Sequence, residues 1–232
     1  MNAAPILMNN DLNELCTNFE PPGTGKHMHS DQQPTHKLAR GFVGAEESTS
    51  CELFSIRRLH SVNASQVVQI ATLLLDCVHG GASVSFMQSL SRERAEEFWH
   101  QVARDVEIGD RALLIAEDDG GICGTVQLIL AQPDNQPHRA DLAKMLVHSR
   151  ARKRGLGKAL LLTAENMGRE CGKTLLVLDA VTGGDGERLY AGAGWQRVGI
   201  IPSYALFPKG GFCDTTFFYR DLSMLSGSRP AV

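Results

Sequence analysis

A mixed α/β domain is the fold class this sequence predicts, and three observations carry it. Apolar residues recur at helical spacing in four segments and at strand spacing, or as short solid runs, in seven. The two kinds of segment are interleaved from Glu52 onward. Capping residues and glycine turns stand between them.

In chain order, Leu53, Phe54, Ile56 and Leu59 predict a first strand and the turn after it. Asn63 is placed to cap a helix whose third residue is Gln66, with Ala64, Val67, Val68, Ala71, Leu74, Leu75 and Val78 as its apolar stripe. A loop His79-Gly80-Gly81-Ala82-Ser83 follows. Ser91 opens a second helix, with Ala95, Phe98, Trp99, Val102 and Val106 on one side and an end near Gly109. Ala112 to Glu117 and Ile122 to Leu130 read as a hairpin joined by Asp118-Asp119-Gly120-Gly121. A strand over 140–147 leads to a helix over 156–171, striped by Leu156, Leu160, Thr163, Met167 and Cys171. Leu175 to Leu178 is a buried strand closed by Asp179, and a short helix runs from about Asp185 to Ala193. Val198 to Ile201 and Thr215 to Tyr219 are the last strands, separated by a loop holding Pro202, Pro208, Gly210 and Gly211.

Composition narrows the classes. With 232 residues, 43% of them hydrophobic, the chain is long enough for a substantial core in one domain or two. Residues 1–50 mix Asn, Pro, Gly, His, Ser and Thr without periodicity and read as a disordered or weakly ordered extension; 51–232 form the domain. A net charge of -3 gives no global attraction to nucleic acid or an anionic membrane, so neither is an expected partner. Six cysteines without a C-x-x-C pair read as reduced thiols, and no histidine array has metal-ligand spacing, so no metal is expected. His27, His29 and His36 belong to the polar extension. No apolar run has the length of a membrane helix, and the N-terminus has no secretory pattern, so a cytoplasmic enzyme is the expectation. Oligomeric state is open, a homodimer among the options.

The most informative stretch is Val147-His148-Ser149-Arg150-Ala151-Arg152-Lys153-Arg154-Gly155-Leu156-Gly157-Lys158-Ala159. It joins a strand to an amphipathic helix through a cationic turn. Gly155 and Gly157 let backbone curl and approach a bulky ligand. The first helical N–H groups lack intrahelical partners and sit at the positive end of the dipole, which suits a phosphate or diphosphate. Arg152, Lys153, Arg154 and Lys158 add cationic donors. A dinucleotide-binding loop would need a third glycine where Lys158 and Ala159 stand, and no Walker A pattern occurs.

The order Arg-x-x-Gly-x-Gly in its strand-turn-helix setting resembles the acetyl-CoA signature of the GCN5-related N-acetyltransferase (GNAT) superfamily, and the element order from Glu52 to about Leu222 is similar to that superfamily's. The resemblance implies a mostly antiparallel sheet of about seven strands flanked by four helices. It also implies acetyl-CoA as co-substrate, with Met145, Leu146 and Val147 along the pantetheine arm and a backbone N–H of Leu146 or Val147 facing the carbonyl oxyanion. Glu187-Arg188-Leu189-Tyr190-Ala191-Gly192-Ala193-Gly194-Trp195 resembles the family's Y-x-x-x-G-[FWY] ending, which implies Tyr190 as general acid toward the coenzyme sulfur. Where many members carry an Asn that contacts coenzyme, this chain has Gly183.

The chemistry needs a free amine. An alkyl ammonium has a pKa near 10, so at pH 7 only about one molecule in a thousand is nucleophilic, a penalty of roughly 4 kcal/mol. Asp141 and Asp179 are the carboxylates placed at the mouth of the site, Asp141 by period two on the same face as Ala143, Met145 and Val147. An ordinary Asp is too weak a base to take the proton directly, so relay through water or a raised pKa belongs to this expectation.

Two further strings, Val78 to Met87 and Val198 to Ala205, resemble the tabtoxin-resistance acetyltransferases, which acetylate a small amino-acid-like toxin. That resemblance implies His79, Gly80, Gly81, Ser83 and Tyr204 around the acceptor, and a role in toxin or antimetabolite resistance. Two other readings stay open: acetylation of a protein N-terminus or lysine, and a non-catalytic acyl-CoA-binding module, against which Tyr190 and two mouth carboxylates argue.

Overall fold

The computed structural model describes residues 54–223, so the extension at 1–50 with its histidines lies outside the described residues. Seven strands form one sheet: β1 (Ser55–Leu59), β2 (Arg111–Asp118), β3 (Gly121–Ile129), β4 (Arg139–Val147), β5 (Leu175–Val181), β6 (Gln196–Leu206) and β7 (Phe212–Asp221). Their spatial order is β1-β2-β3-β4-β5-β7-β6. Only β4 and β5 pair in parallel; every other neighbour is antiparallel. Helices α1 (Ala64–His79) and α2 (Arg92–Glu107) contribute to a core on one face, and α3 (Leu156–Glu170) and α4 (Asp185–Gly192) to a core on the other.

Local chemistry sets the helix starts. The Gln66 amide donates to Asn63 Oδ1 at 2.9 Å, and the Asn63 amide donates back to Gln66 Oε1 at 2.9 Å. This capping box satisfies two orphan donors and contributes about 1 kcal/mol. Ser91 Oγ caps α2 through the Arg94 amide at 3.2 Å. The α1 stripe is wider than periodicity predicts, because the helix packs on both the sheet and α2: Ile70, Leu73 and Cys77 are buried. Val68, placed on the stripe by its spacing, is instead 44% exposed.

The last two strands are longer than predicted. β6 continues through Pro202 because it is the sheet edge, where the missing N–H breaks no ladder bond on its open side. Ile201 pairs with Thr215 and Ala205 with Cys213, so Pro202, Ser203 and Tyr204 bulge from the ladder, with Ser203 at φ 51°. β5 likewise runs past Asp179 to Val181, held by β7 at Thr216 and Thr215.

One close approach fixes α3 on the sheet. A Cβ on Gly124 of β3 would stand 2.9 Å from Leu160 Cδ1 and 3.2 Å from Leu156 Cδ2. Glycine at this position lets the first turns of α3 sit directly on β3.

Candidate active site

The site exists because β4 and β5 part. They pair only at Arg139–Leu175, Ala140–Leu176 and Asp141–Val177. Beyond that, β3 holds β4 as far as Val147 and β7 holds β5 as far as Val181. The gap opens into a cavity of about 750 Å³, walled by the loop after α1, the end of β4, the start of α3 and α4.

A bulge in β4 decides which side chains reach it. Gln127 of β3 faces Ala143 and Thr125 faces Leu146, so β4 carries one extra residue there, and Lys144 takes φ 49°. Before the bulge Ala140 and Leu142 join the α3 and α4 core; after it Met145 and Val147 pack on that core while Leu146 turns to the α1 and α2 core. The alternation therefore flips, which corrects the expectation that Asp141, Ala143, Met145 and Val147 share a face: Asp141 and Ala143 lie on the opposite one.

On the α3 side, Gly155 is the N-cap of the helix in the left-handed region (φ 81°), and no side chain caps the turn. The amides of Leu156, Gly157 and Lys158 thus have no intrahelical acceptor and no side-chain cap. All three residues line the cavity, as do Arg152, Lys153 and Gly155. Arg152 Nε donates to the Val147 carbonyl at 3.1 Å, which anchors the guanidinium beside the turn. Arg154 does not line the cavity; its Nη1 lies 3.9 Å from Asp118. Asp118 also binds Arg150, whose Nη2 donates to the Gly121 carbonyl at 3.2 Å, so this pair staples the cationic turn to the β2–β3 hairpin. Arg150 holds the Asp118 carboxyl below the usual carboxylate range, against the opposing effect of burial. Uncapped amides, three cationic side chains and two glycines fit a diphosphate.

Along β4, the His148 amide donates to the Cys123 carbonyl of β3 at 2.9 Å. Strand alternation then turns the Leu146 N–H toward β3 and the Val147 N–H toward the open edge. Of the two amides the resemblance implied, Val147 is the one that faces the gap. Met145, Leu146 and Val147 all line the cavity.

Tyr190 of α4 lines it too, buried to 6% exposure and packed on Trp195 and Phe218 with ring centroids 5.9 and 6.1 Å away. Burial, and then the charge of Asp179, push its phenol above the ordinary value, so the hydroxyl stays protonated through neutral pH. That makes it a weaker acid than free phenol, and a hydrogen-bond donor before it is a proton donor.

Asp179 lines the same cavity. Its side chain is exposed to the cavity, while the surrounding protein partly desolvates the carboxyl. This desolvation and the repulsion of Asp141 raise its proton affinity, while Lys144 pulls the other way. Asp141 itself is not on the lining: Arg139 binds one carboxylate oxygen and Gln132 Nε2 donates to the other at 3.2 Å.

The loop after α1 contributes Gly80, Gly81 and Ser83 to the wall, but His79 is exposed and off the lining. Tyr204 is also off it, half exposed and edge-on to Phe217 at 5.5 Å. Sequence reasoning missed Lys144 and Ser85. Lys144 had a visible signal, a lone lysine within the apolar run Ala143-Lys144-Met145-Leu146.

Comparison with known proteins gives two findings. The profile of the acetyltransferase (GNAT) family matches residues 81–194. Similar solved structures include a putative acetyltransferase, yncA, from Salmonella typhimurium with acetyl-CoA, 18% identical, covering 78% of this chain and 99% of its own, at TM-score 0.61. The ribosomal-protein-alanine N-acetyltransferase of Brucella melitensis is 20% identical, covers 72% and 99%, and has TM-score 0.60. A putative phosphinothricin N-acetyltransferase is 16% identical, covers 73% and 98%, and has TM-score 0.61. At these identities the structures show a shared fold. Among the described residues no helix is long and apolar enough to cross a membrane, and no three His, Cys, Asp or Glu side chains group to hold a metal ion.

Proposed function

We infer that this chain is an acetyltransferase of the GNAT type, whose family profile matches residues 81–194, and that it moves acetyl from acetyl-CoA directly to the primary amine of a small molecule, an amino-acid-like toxin or antimetabolite. One observation carries the reading: Asp179, the Val147 amide, Tyr190 and the uncapped start of α3 surround a single cavity at the β4–β5 gap.

Bound acetyl-CoA supplies an activated acyl group and a thiol leaving group. The amides of 156–158 with Arg152, Lys153 and Lys158 hold its diphosphate. The Val147 N–H offers a hydrogen bond where negative charge grows on the carbonyl oxygen. Asp179, with its raised proton affinity, takes up the proton that the attacking amine must lose, directly or through water. The Tyr190 hydroxyl, kept protonated by its burial, donates to the departing sulfur.

A small acceptor is favoured over a peptide by how the loop after α1 is tied down. Ser83 Oγ donates to the Leu206 carbonyl at 2.8 Å and the Gln88 amide to the Pro208 carbonyl at 2.9 Å, strapping that loop to the β6–β7 hairpin. Phe207 of that hairpin joins the cavity wall. A loop held in this way beside the cavity supports a compact acceptor over an extended peptide. Thiol release from acetyl-CoA, measured over small primary amines and over alanine-terminated and lysine-containing peptides, tests this. Turnover confined to small amines is expected; faster turnover of peptides would overturn it, and binding without turnover would mark a regulatory module.

A further inference from the structure

Lys144 is the least expected side chain in the cavity. It is half-buried, in the β4 bulge, with no carboxylate among the described residues within ion-pairing distance. Its Nζ lies 5.8 Å from the ring centroid of Phe86 and 5.6 Å from that of Phe98, and it donates to Ser85 Oγ at 3.1 Å. Two of its three donors therefore find no acceptor among the described residues. A lysine taken partly out of water without a counter-ion costs stability unless something else supplies the anion.

The backbone strengthens the point. Among the described residues, four non-glycine residues have positive φ: Ser85 (76°), Lys144 (49°), Lys153 (59°) and Ser203 (51°). Two of the four, Ser85 and Lys144, are 59 residues apart in sequence and meet in one hydrogen bond on the cavity wall. Such conformations are unfavourable for a residue with a Cβ and persist where surrounding structure imposes them, commonly at ligand clamps. The charged groups acting on the same face are Asp179 from β5, Arg111 from β2 and, through Asp179, Asp141 from β4. Lys144 and Asp179 thus give the acceptor wall a positive and a negative pole that are not in contact with each other.

We propose that Lys144 and Ser85 form an anion subsite for the acceptor, so that the preferred substrate is a zwitterion whose carboxylate sits on Lys144 and Ser85 while its amine faces Asp179. This rests on the small-amine reading above and narrows it to amines that carry an acidic group. Lys144 touches substrate as a specificity determinant and takes no part in proton transfer.

The test uses the full chain and thiol release from acetyl-CoA, with L-alanine, L-methionine and L-leucine as probes, each paired with its carboxamide and its decarboxylated amine, neither of which carries an acidic group. The acids are expected to exceed their neutral partners in kcat/KM by about 10- to 100-fold, the factor a charge-assisted hydrogen bond carries. Lys144→Met, which keeps an unbranched apolar stem between the two phenyl rings, is expected to raise KM for the acids by that factor at nearly constant kcat, leaving the neutral partners unchanged. Lys144→Arg is expected to restore the preference in part, and Ser85→Ala to weaken it if Lys144→Met does not fold. Acceptance of acids and carboxamides alike, or a kcat loss for every probe in the Lys144→Met variant, overturns the subsite and leaves the small-amine reading intact. No turnover with any probe while acetyl-CoA still binds overturns both.

Discussion

Gly157→Ala separates ligand approach from helix stability, because the two effects are expected to have opposite signs. Gly157 is the second residue of α3, and a Cβ there would meet only Leu189 Cδ2, at 3.4 Å, an ordinary contact. Alanine in place of glycine within a helix is worth about 0.5–1 kcal/mol. For a domain of this size, that is roughly 1–4 °C in Tm. The same methyl group projects from a residue that lines the cavity beside the uncapped amides. If a diphosphate lies against that backbone, the methyl pushes it off one charge-assisted hydrogen bond worth about 1.5–3 kcal/mol, raising Kd by about 10- to 100-fold. Thermal unfolding by circular dichroism gives the first quantity and calorimetric titration with coenzyme A the second. A variant that is more stable and binds coenzyme A as tightly as the parent refutes the assignment of this turn to the diphosphate. A destabilised variant refutes the packing argument instead.

Tyr190→Phe removes a hydroxyl and leaves the packing on Trp195 and Phe218. Coenzyme A affinity is expected to hold within about twofold while kcat falls by about 100-fold; equal loss of both in titration and steady-state kinetics contradicts the donor role. Arg152→Glu is expected to raise the coenzyme A Kd at least about 10-fold, whereas Arg154→Glu changes it little, because Arg154 leans on Asp118 and lies off the cavity; titration of both variants decides it, and equal weakening counts against the placement. Asp179 has a raised proton affinity in the fold, so the folded state favours its protonated form. Its ionisation therefore costs stability at neutral pH, and that cost vanishes as pH falls below the ordinary carboxylate range near about 4. Asp179→Asn is expected to raise Tm at pH 7, with a gain that shrinks on acidification, while acetyl transfer drops about 100-fold or more; a lower Tm at pH 7 would contradict the sign.

What was legible in the sequence was what neighbouring residues decide among themselves. The Asn63–Gln66 box, the Ser91 cap, the Asp118–Gly121 turn and the glycine start of α3 each depend on a few adjacent residues, and each appears where spacing put it. The cationic turn was legible as a group but not arginine by arginine. Asp118, from a hairpin about thirty residues away, draws Arg150 and Arg154 aside and leaves Arg152 and Lys153 on the cavity.

By itself, then, the sequence determined the interleaved α/β pattern, the glycine start of α3 without a side-chain cap and the tyrosine in the last turn of α4, because backbone preference and hydrogen bonding within one turn are short-range. The tertiary structure alone decided which strand face each carboxylate occupies. One extra residue in β4, accommodated by its pairing with β3, reverses a period-two pattern that no local rule revises. The same bulge sets Lys144 against Ser85, and the parting of β4 from β5 opens the cavity that Asp179 and Tyr190 both line. Those meetings depend on which strands share hydrogen bonds, a property of partners distant in the chain.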